Sequence, residues 1–328
     1  MVCPDEPLVA ALLQGTLNDV EVARVRRHLG ECAPCRTRVR SPGGLAETLH
    51  DFDSRPSERT RLCFAPGCLI DGRYRVERIL GAGGMAVVLH AKDTRLGRDV
   101  AIKLLRAGAR DEAVRRFVRE AEITAGIRSP HVVRVFDVSR LDTGEPYIVF
   151  ERLVGRDARH LLDHDGPRPV AEALDLLAQA CRGVGAAHRQ GIVHRDLKPA
   201  NLFLCEPRST VVVLDFGVSK DPRPALASPI THTNLLGTPM YMPPEQLRAP
   251  RDVDPRADVW ALGTILYELL TGNPPFRRAT FEDTARAIHQ DAVPSFDPHV
   301  DMLLSCCLAK DPRARFADAN ALLAFLER

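Results

Sequence analysis

The stretch V-H-R-D-L-K-P-A-N-L-F-L, residues 193–204, constrains the fold of this chain more than any other. Charged and amide side chains stand here between two apolar flanks, and Asp215-Phe-Gly follows at short range. A solvated surface loop would explain the first run but not the second. Together they supply two carboxylates, an amide and a lysine. Phosphoryl transfer needs such a set to orient a hydroxyl, bind magnesium and neutralise charge.

Two further runs lie upstream. Gly81-Ala-Gly-Gly-Met-Ala-Val-Val88 joins two predicted strands, and its glycines let backbone N–H groups approach phosphate oxygens. Alone this run is weak evidence, because a glycine-rich hairpin is more often only a turn, and no Gly-Lys-Ser/Thr of a Walker loop follows. Val100-Ala-Ile-Lys103 places Ala101 and Lys103 on one face of a strand. Glu120, on a predicted helix downstream, is a partner for the lysine ammonium.

Composition excludes several classes of protein. A net charge of +2 gives no indication of direct nucleic-acid binding. No run of residues is apolar for long enough to span a bilayer, and the N-terminus lacks the basic start of a secretory signal. The nine cysteines are scattered, which favours buried thiols and metal ligands in a reducing compartment over a disulfide framework. We therefore expect a cytoplasmic protein without a membrane span.

The chain divides into three segments. Residues 1–40 predict a small helical hairpin, residues 41–69 are polar and aperiodic like a flexible linker, and the remainder, 70–328, is regular. Strands come first and helices later, which predicts an α+β fold with a small sheet-rich lobe, 70–152, and a larger helical lobe, 153–328. The predicted strands are Tyr74–Leu80, Ala86–Lys92, Asp99–Leu104 and Val211–Leu214, and the predicted helices include Ala113–Ile127 and Ala171–His188.

Six motifs in order carry a family resemblance: GAGGMAVV, VAIK, HRDLKPAN, DFG, GTPMYMPPE and DVWALG. From about residue 70 to 328 the chain resembles the bilobal catalytic domain of eukaryotic-like protein kinases, in particular their bacterial serine/threonine branch. Two positions depart from the usual pattern. Ala86 replaces the third glycine of the loop, and Pro243 replaces the alanine of Ala-Pro-Glu. Neither change removes a catalytic atom.

The resemblance implies the chemistry of the site. Asp196 would orient the hydroxyl of a protein serine or threonine, and Lys198 would steady the γ-phosphate of ATP. Lys103 would hold the α- and β-phosphates and pair with Glu120. Two residues would bind Mg²⁺ or Mn²⁺, namely Asn201 and Asp215. The ATP-binding residues would also include Leu80, Gly81, Ala82, Gly83, Gly84, Val88, Ala101 and a hinge made of Phe150, Glu151 and Leu153.

Three structural residues and two phosphorylation sites follow from the same resemblance. Asp258 would anchor the catalytic loop, and Glu245 would pair with Arg315. Thr231 and Thr233 would be autophosphorylated and would order the activation segment through Arg195, which precedes the catalytic aspartate. Such autophosphorylation would need a transient homodimer.

The N-terminal pattern Cys3…His28-x-x-x-Cys32-x-x-Cys35 has the spacing of metal ligands. His28 and Cys32 are one helical turn apart, and tetrahedral zinc takes four such ligands. The alternatives are two buried thiols without metal, or Cys63 or Cys68 as the fourth ligand. The pattern resembles the zinc-binding anti-sigma-factor fold, which implies binding of a sigma factor or another protein.

Three functions are compatible with these motifs. The first is an active serine/threonine kinase with an N-terminal zinc-dependent regulatory or interaction module. The second is a pseudokinase scaffold, although such a protein is expected to lose Lys103, Asp196 or Asp215, and all three are present. The third is a regulator that acts mainly through a sigma factor or another partner bound to residues 1–40.

Overall fold

The computed structural model describes residues 65–83, 85–216, 239–249 and 253–328. The chain divides into two compact units, Met1–Leu62 and Cys63–Arg328, and every described residue belongs to the second. Several predicted residues lie outside the described ranges. They are the four zinc ligands Cys3, His28, Cys32 and Cys35, the glycine Gly84, and the phosphorylation sites Thr231 and Thr233.

The first part of the second unit is an antiparallel sheet of six strands in the order β1-β2-β3-β4-β6-β5. Alternate residues of its central strands are buried, so that Val87, Leu89 and Ala91 of β3 face the same core as Val100 and Ile102 of β4. The strands are β1 (Leu69–Ile70), β2 (Tyr74–Ala82), β3 (Ala86–Asp93), β4 (Arg98–Leu105), β5 (Val135–Arg140) and β6 (Pro146–Glu151).

One long helix, α1 (Asp111–Gly126), packs on the sheet. Its Phe117 and Ala121 are buried against Leu105 and Ile148, which lie on β4 and β6. Two acidic residues occupy its first turn, where the helix dipole favours negative charge. The packing of α1 on the sheet presents Glu120 to the sheet face that carries Lys103.

The larger part of the unit is helical and packs around one central helix. This helix, α5 (Arg256–Thr271), is buried on nearly all sides, with Trp260 fully enclosed. A three-stranded sheet lies beside the helices: β7 (Gly155–Asp157), β8 (Leu202–Cys205) and β9 (Thr210–Val213). The other helices are α2 (Ala158–Asp165), α3 (Val170–His188), α4 (Pro244–Arg248), α6 (Phe281–Gln290), α7 (Pro298–Cys307) and α8 (Ala319–Leu326).

The expected α+β architecture is confirmed, with a curled sheet first and helices after it. The hairpin of β5 and β6 and the short strand β7 were not predicted. Sheet bonding also begins before residue 70, because Gly67 N–H donates to Val76 O at 2.7 Å. It therefore reaches into the stretch predicted as linker. Within the described residues, no helix is both long and apolar enough to cross a bilayer.

Candidate active site

The loop between α3 and β8 carries the densest group of predicted catalytic residues. Asp196 is only 5% exposed, and its Oδ2 accepts from Lys198 Nζ at 3.0 Å. Asn201 Nδ2 donates to the backbone oxygen of Asp196 at 2.7 Å and to its Oδ2 at 3.3 Å. The short helical turn Pro199–Asn201 places the asparagine back over the aspartate. The carboxylate is thus held in one position by two side chains of its own loop.

Asp258, in the first turn of α5, anchors this loop from below. Its Oδ2 accepts from His194 N–H at 2.7 Å, and its Oδ1 accepts from Arg195 N–H at 2.9 Å. His188 Nε2, at the end of α3, bonds to Oδ2 at 2.8 Å. Although burial raises the pKa of Asp258, the hydrogen bonds from His188 and from the His194 backbone N–H outweigh it, so that the pKa is lowered. An ionised carboxylate therefore lies beneath the loop that carries Asp196.

Two residues of the site have backbone angles that L-residues rarely adopt. Arg195 has φ +67° and Asp215 has φ +42°. Such angles cost about 1 kcal/mol or more each and persist where surrounding contacts enforce them. Both peptide groups of Arg195 are bound, since Gln246 Nε2 donates to its carbonyl at 2.9 Å.

A second cluster forms around Lys103 on β4. Its Nζ lies 2.8 Å from Asp215 Oδ1 and 3.3 Å from Glu120 Oε1. Burial lowers the pKa of Lys103, but the two carboxylates outweigh that effect, so that the pKa is raised. The ammonium is therefore charged at neutral pH. The structure thus brings together three predicted residues that are far apart in the sequence.

The strand register explains why a nucleotide can lie beside this lysine. Val88 pairs with Lys103, and Ala101 pairs with Phe150. Directly paired residues share a face, and residues two apart on one strand do so as well. Val88, Ala101, Lys103 and Phe150 consequently lie on the same face of the sheet.

The remaining predicted nucleotide-binding residues border this face. In the hinge, Glu151 and Leu153 are partly buried, and Glu151 Oε1 accepts from Arg134 N–H at 2.7 Å. The side chain of Glu151 is thus bound within the protein, while the backbone of this segment is the part suited to reading a base. The glycine-rich loop is bordered by a partly buried residue, Leu80, and its exposed members are Gly81, Ala82 and Gly83.

The donor atoms at the site fit a hard divalent cation. The side chain of Asp215 is 43% exposed, so that carboxylate oxygen remains accessible beside its contact with Lys103. Asn201 commits its amide nitrogen to Asp196, which leaves the amide oxygen as the ligand atom. Magnesium prefers such oxygen donors and keeps several waters and phosphate oxygens as further ligands.

The predicted pair of Glu245 and Arg315 is present and bidentate. Arg315 NH1 lies 2.7 Å from Glu245 Oε1, and NH2 lies 3.0 Å from Oε2. The arginine side chain is fully buried, and its guanidinium lies 4.8 Å from the centre of the Trp260 ring. This pair ties the start of α4 to the chain that precedes α8.

Sequence reasoning missed the role of a further buried carboxylate, Glu268. Glu268, near the end of α5, is 1% exposed and accepts from Tyr241 Oη at 2.7 Å and from Arg159 NH1 at 2.6 Å. Burial and the nearby glutamate raise the pKa of Tyr241, which stays a neutral donor. Nothing in the local sequence indicates this role, because Glu268 follows an apolar stretch of helix and its hydrogen-bond partners come from distant elements.

His188 was also missed. It ends an apolar helix, and its Nδ1 accepts from Ala319 N–H at 3.1 Å while its Nε2 bonds to Asp258. The histidine therefore links the start of α8 to the anchor of the catalytic loop. An apolar stretch that ends in one histidine predicts only a buried helix terminus.

Comparison with known proteins agrees with this geometry. Residues 74–324 match the family described as "Protein kinase domain". The chain is 39% identical over 272 residues to serine/threonine-protein kinase PknB of Mycobacterium leprae, with 79% of this chain and 43% of the relative covered. It is 39% identical over 275 residues to PknB of Mycolicibacterium smegmatis, with the same coverage. The chain thus spans less than half the length of the curated relatives it matches.

A second family, described as "Putative zinc-finger", matches residues 6–36. The matched segment contains His28, Cys32 and Cys35 but begins after Cys3. Three of the four metal-ligand candidates noted in the sequence therefore lie within a segment that matches a zinc-finger family. The kinase match covers most of the chain, and its residues coincide with the sheet, the helices and the site described above. The chain belongs to the protein kinase domain family and resembles its bacterial serine/threonine members.

Proposed function

We propose that this protein is a serine/threonine protein kinase that transfers the γ-phosphoryl group of ATP to protein hydroxyls. The observation that carries the proposal is the buried Asp196 carboxylate, held by Lys198 and Asn201 in a loop whose backbone is bonded to Asp258. Such a carboxylate can accept a hydrogen bond from an incoming hydroxyl. The names of the relatives support serine and threonine as acceptors.

In the proposed reaction, Asp196 orients the acceptor hydroxyl and receives its proton. The acceptor oxygen forms a bond to the γ-phosphorus, and the bond from that phosphorus to the bridging oxygen of ADP breaks. Lys198, 3.0 Å from Asp196, is close enough to place positive charge beside the transferring group. The loop thus supplies both a proton acceptor and a cation for the developing charge.

The Lys103 cluster holds the other end of the nucleotide. The ammonium would bind the α- and β-phosphates, with Glu120 keeping it directed into the site. Magnesium, when bound by Asp215 and Asn201, supplies charge neutralisation on the phosphates. The sheet face of Val88, Ala101 and Phe150, together with the glycine-rich loop, encloses the adenosine part.

Activity assays test this proposal directly. The full chain is incubated with ATP, magnesium and a generic basic protein, and phosphate on serine and threonine is measured. Asp196→Asn is the inactive comparison, and Arg182→Gln, an exposed change at the surface pair with Glu327, is the matched control. Transfer by wild type and by the control, but not by Asp196→Asn, supports the kinase. Equal background transfer by all three proteins would instead favour a scaffold with a kinase fold.

Regulation by autophosphorylation at Thr231 and Thr233 is part of the proposal, as are a transient homodimer for that step and a cytoplasmic location. Phosphopeptide mapping of wild type beside Asp196→Asn tests autophosphorylation. Phosphate on these threonines in wild type alone supports autophosphorylation. Phosphate on the inactive variant, made without any other kinase present, would contradict it.

We also propose that residues 1–40 form a zinc-dependent regulatory or partner-binding module, because the zinc-finger family matches residues 6–36. Metal analysis of the full chain tests it. About one zinc per chain is expected, and the double change of Cys32 and Cys35 to serine should remove it. Cys205→Ser, at a free thiol of the kinase unit, is the matched control. Metal-free wild-type protein, purified without chelator, would contradict the proposal, and a pull-down with sigma factors would test one class of partner.

A further inference from the structure

Two histidines lie side by side on the solvent face of α2. His160 and His164 are separated by one helical turn, and both are exposed. The centres of their rings are 3.8 Å apart, and the ring planes differ by 26°. The opposite face of the helix is buried through Ala158, Leu161 and Leu162. The pair therefore stands in solvent on a helix that is anchored through its buried face.

The tautomer of His164 follows from its hydrogen bond. Its Nδ1 lies 3.0 Å from the backbone oxygen of His160, and because a carbonyl oxygen can only accept, Nδ1 carries the proton. The lone pair of the neutral ring is then on Nε2. Histidines that bind metal ions commonly donate their other ring N–H to a backbone carbonyl in this way, which fixes the orientation of the ring. Among the described residues, the ring of His160 has no hydrogen-bond partner and can turn its own Nε2 toward the same ion.

The carboxylates on the same helix are held by arginines. Asp163 Oδ1 accepts from Arg159 Nε at 3.0 Å, and Asp165 pairs with Arg156. In agreement, no group of three or more histidine, cysteine, aspartate or glutamate side chains in the described ranges could hold a metal ion. A cation at the histidine pair would thus have two imidazoles as protein ligands and water as the rest. Imidazole suits zinc, copper and nickel, whereas magnesium and calcium prefer oxygen ligands.

We propose that His160 and His164 form a chelating site for a divalent transition-metal ion of the zinc, nickel and copper class. The ion binds the Nε2 atoms of both rings and bridges one turn of α2. His164 belongs to the last turn of this helix, where the helix dipole favours a positive charge. The site shares no residue with the predicted zinc ligands of the N-terminal segment. Binding here does not depend on the proposed kinase activity.

Calorimetric titration of nickel into the full chain tests the site, with an excess of magnesium present to occupy oxygen-rich sites. Wild type is compared with His160→Gln, with His164→Gln and with the matched control His299→Gln, a change at an exposed histidine of α7. Nickel bound elsewhere is common to all four proteins and cancels in the comparison. Each change at the pair should weaken one binding event by at least about tenfold, and the control should bind like wild type. Equal binding by wild type and the two pair variants, or no binding by wild type, would overturn the proposal.

A further variant separates chelation from the mere number of histidines. His164→Gln combined with Asp165→His keeps two histidines on α2 but moves one of them off the face that carries His160. This variant should bind nickel as weakly as His164→Gln alone. Binding as tight as that of wild type would refute chelation across one helical turn. Thermal unfolding without metal confirms that each variant folds, and nickel should raise the unfolding temperature of wild type and of His299→Gln more than that of the other variants.

Discussion

The loop that carries Asp196 and the cluster around Lys103 lie in one site but are held by different contacts. The loop is bonded through its own backbone to a buried carboxylate on the central helix, at 2.7 and 2.9 Å. The lysine cluster joins a strand, a helix and Asp215, two residues after β9, through side chains alone, and Asp215 is 43% exposed. Backbone bonds to a buried anchor make a rigid part, whereas side-chain pairs between separate elements make a part that can be rearranged.

This difference suggests where control can act. Moving α1 would separate Glu120 from Lys103 without breaking any backbone bond of the catalytic loop. Moving the catalytic loop would expose or orphan the buried Asp258, which costs several kcal/mol. A kinase built this way would keep its catalytic loop preformed and would be switched at the lysine cluster.

The largest effect is expected in the rigid part. Asp196→Asn removes the proposed proton acceptor and should lower the rate of phosphoryl transfer by about 10³-fold. ATP affinity should stay close to that of wild type, because the residue contacts Lys198 and Asn201 rather than the sheet face that holds the nucleotide. Steady-state kinetics and nucleotide titration measure both. A large loss of ATP affinity would show that the two parts are not separable.

Next in size is the change at the lysine cluster. Lys103→Met should lower transfer by about 10²-fold or more, since one charged contact to the phosphates is removed. Glu120→Gln should cost only about tenfold, because Asp215 at 2.8 Å still holds the ammonium. Kinetic constants of both variants check this order. If Glu120→Gln proved as damaging as Lys103→Met, the helix would be as essential to the cluster as the lysine itself.

Asp258→Asn tests the anchor and should lower the free energy of unfolding by about 3 kcal/mol at neutral pH. The pKa of Asp258 is lowered in the folded protein, so its stabilisation is complete above the ordinary value of 3.8 and is lost as pH falls below it. The difference in unfolding free energy between wild type and the Asp258→Asn variant should therefore narrow only at acidic pH. Urea unfolding at several pH values measures it, and a gap that stayed constant down to the lowest pH would contradict an ionised anchor.

The smallest effect is expected at the structural pair. Glu245→Gln should cost about 2 kcal/mol of unfolding free energy, because the guanidinium of Arg315 is fully buried and loses a charged partner. Glu327→Gln breaks an exposed pair with Arg182 and should cost less than about 1 kcal/mol. Thermal or urea unfolding compares them. Equal costs would mean that burial does not distinguish these two ion pairs.

Most of the local structure could be predicted from the residues. The strands at Tyr74, Ala86 and Asp99 and the helix around Glu120 were confirmed within a few positions, since alternation and helical spacing are local signals. The hairpin of β5 and β6 was not predicted, because its apolar residues do not alternate in a simple way; Pro146 to Val149 are all buried. Burial on both faces depends on α1 packing over the strand, which no local pattern reveals.

In the candidate site, too, some features could be predicted from the sequence and others depend on packing. The ordered motifs identified Lys103, Asp196 and Asp215, since their residue types and spacing carry the chemistry. Distances between them could not be predicted, because loops and helices intervene between Lys103 on β4 and Asp215, two residues after β9. Glu268 and His188 were missed for a related reason. Each is a polar residue in a locally apolar stretch of helix, and its role depends on the partner that another element supplies.

The amino-acid sequence was sufficient to identify the family, the fold class and the chemical groups of the site, because these follow from residue type and order along the chain. Only the folded structure revealed that Asp215 shares Lys103 with Glu120, that Asp258 stays ionised beneath the loop that carries Asp196, and that His188 and Glu268 have partners on distant elements. Those features depend on distances of a few ångströms and on exclusion of water. Both arise only when distant segments of the chain are packed together.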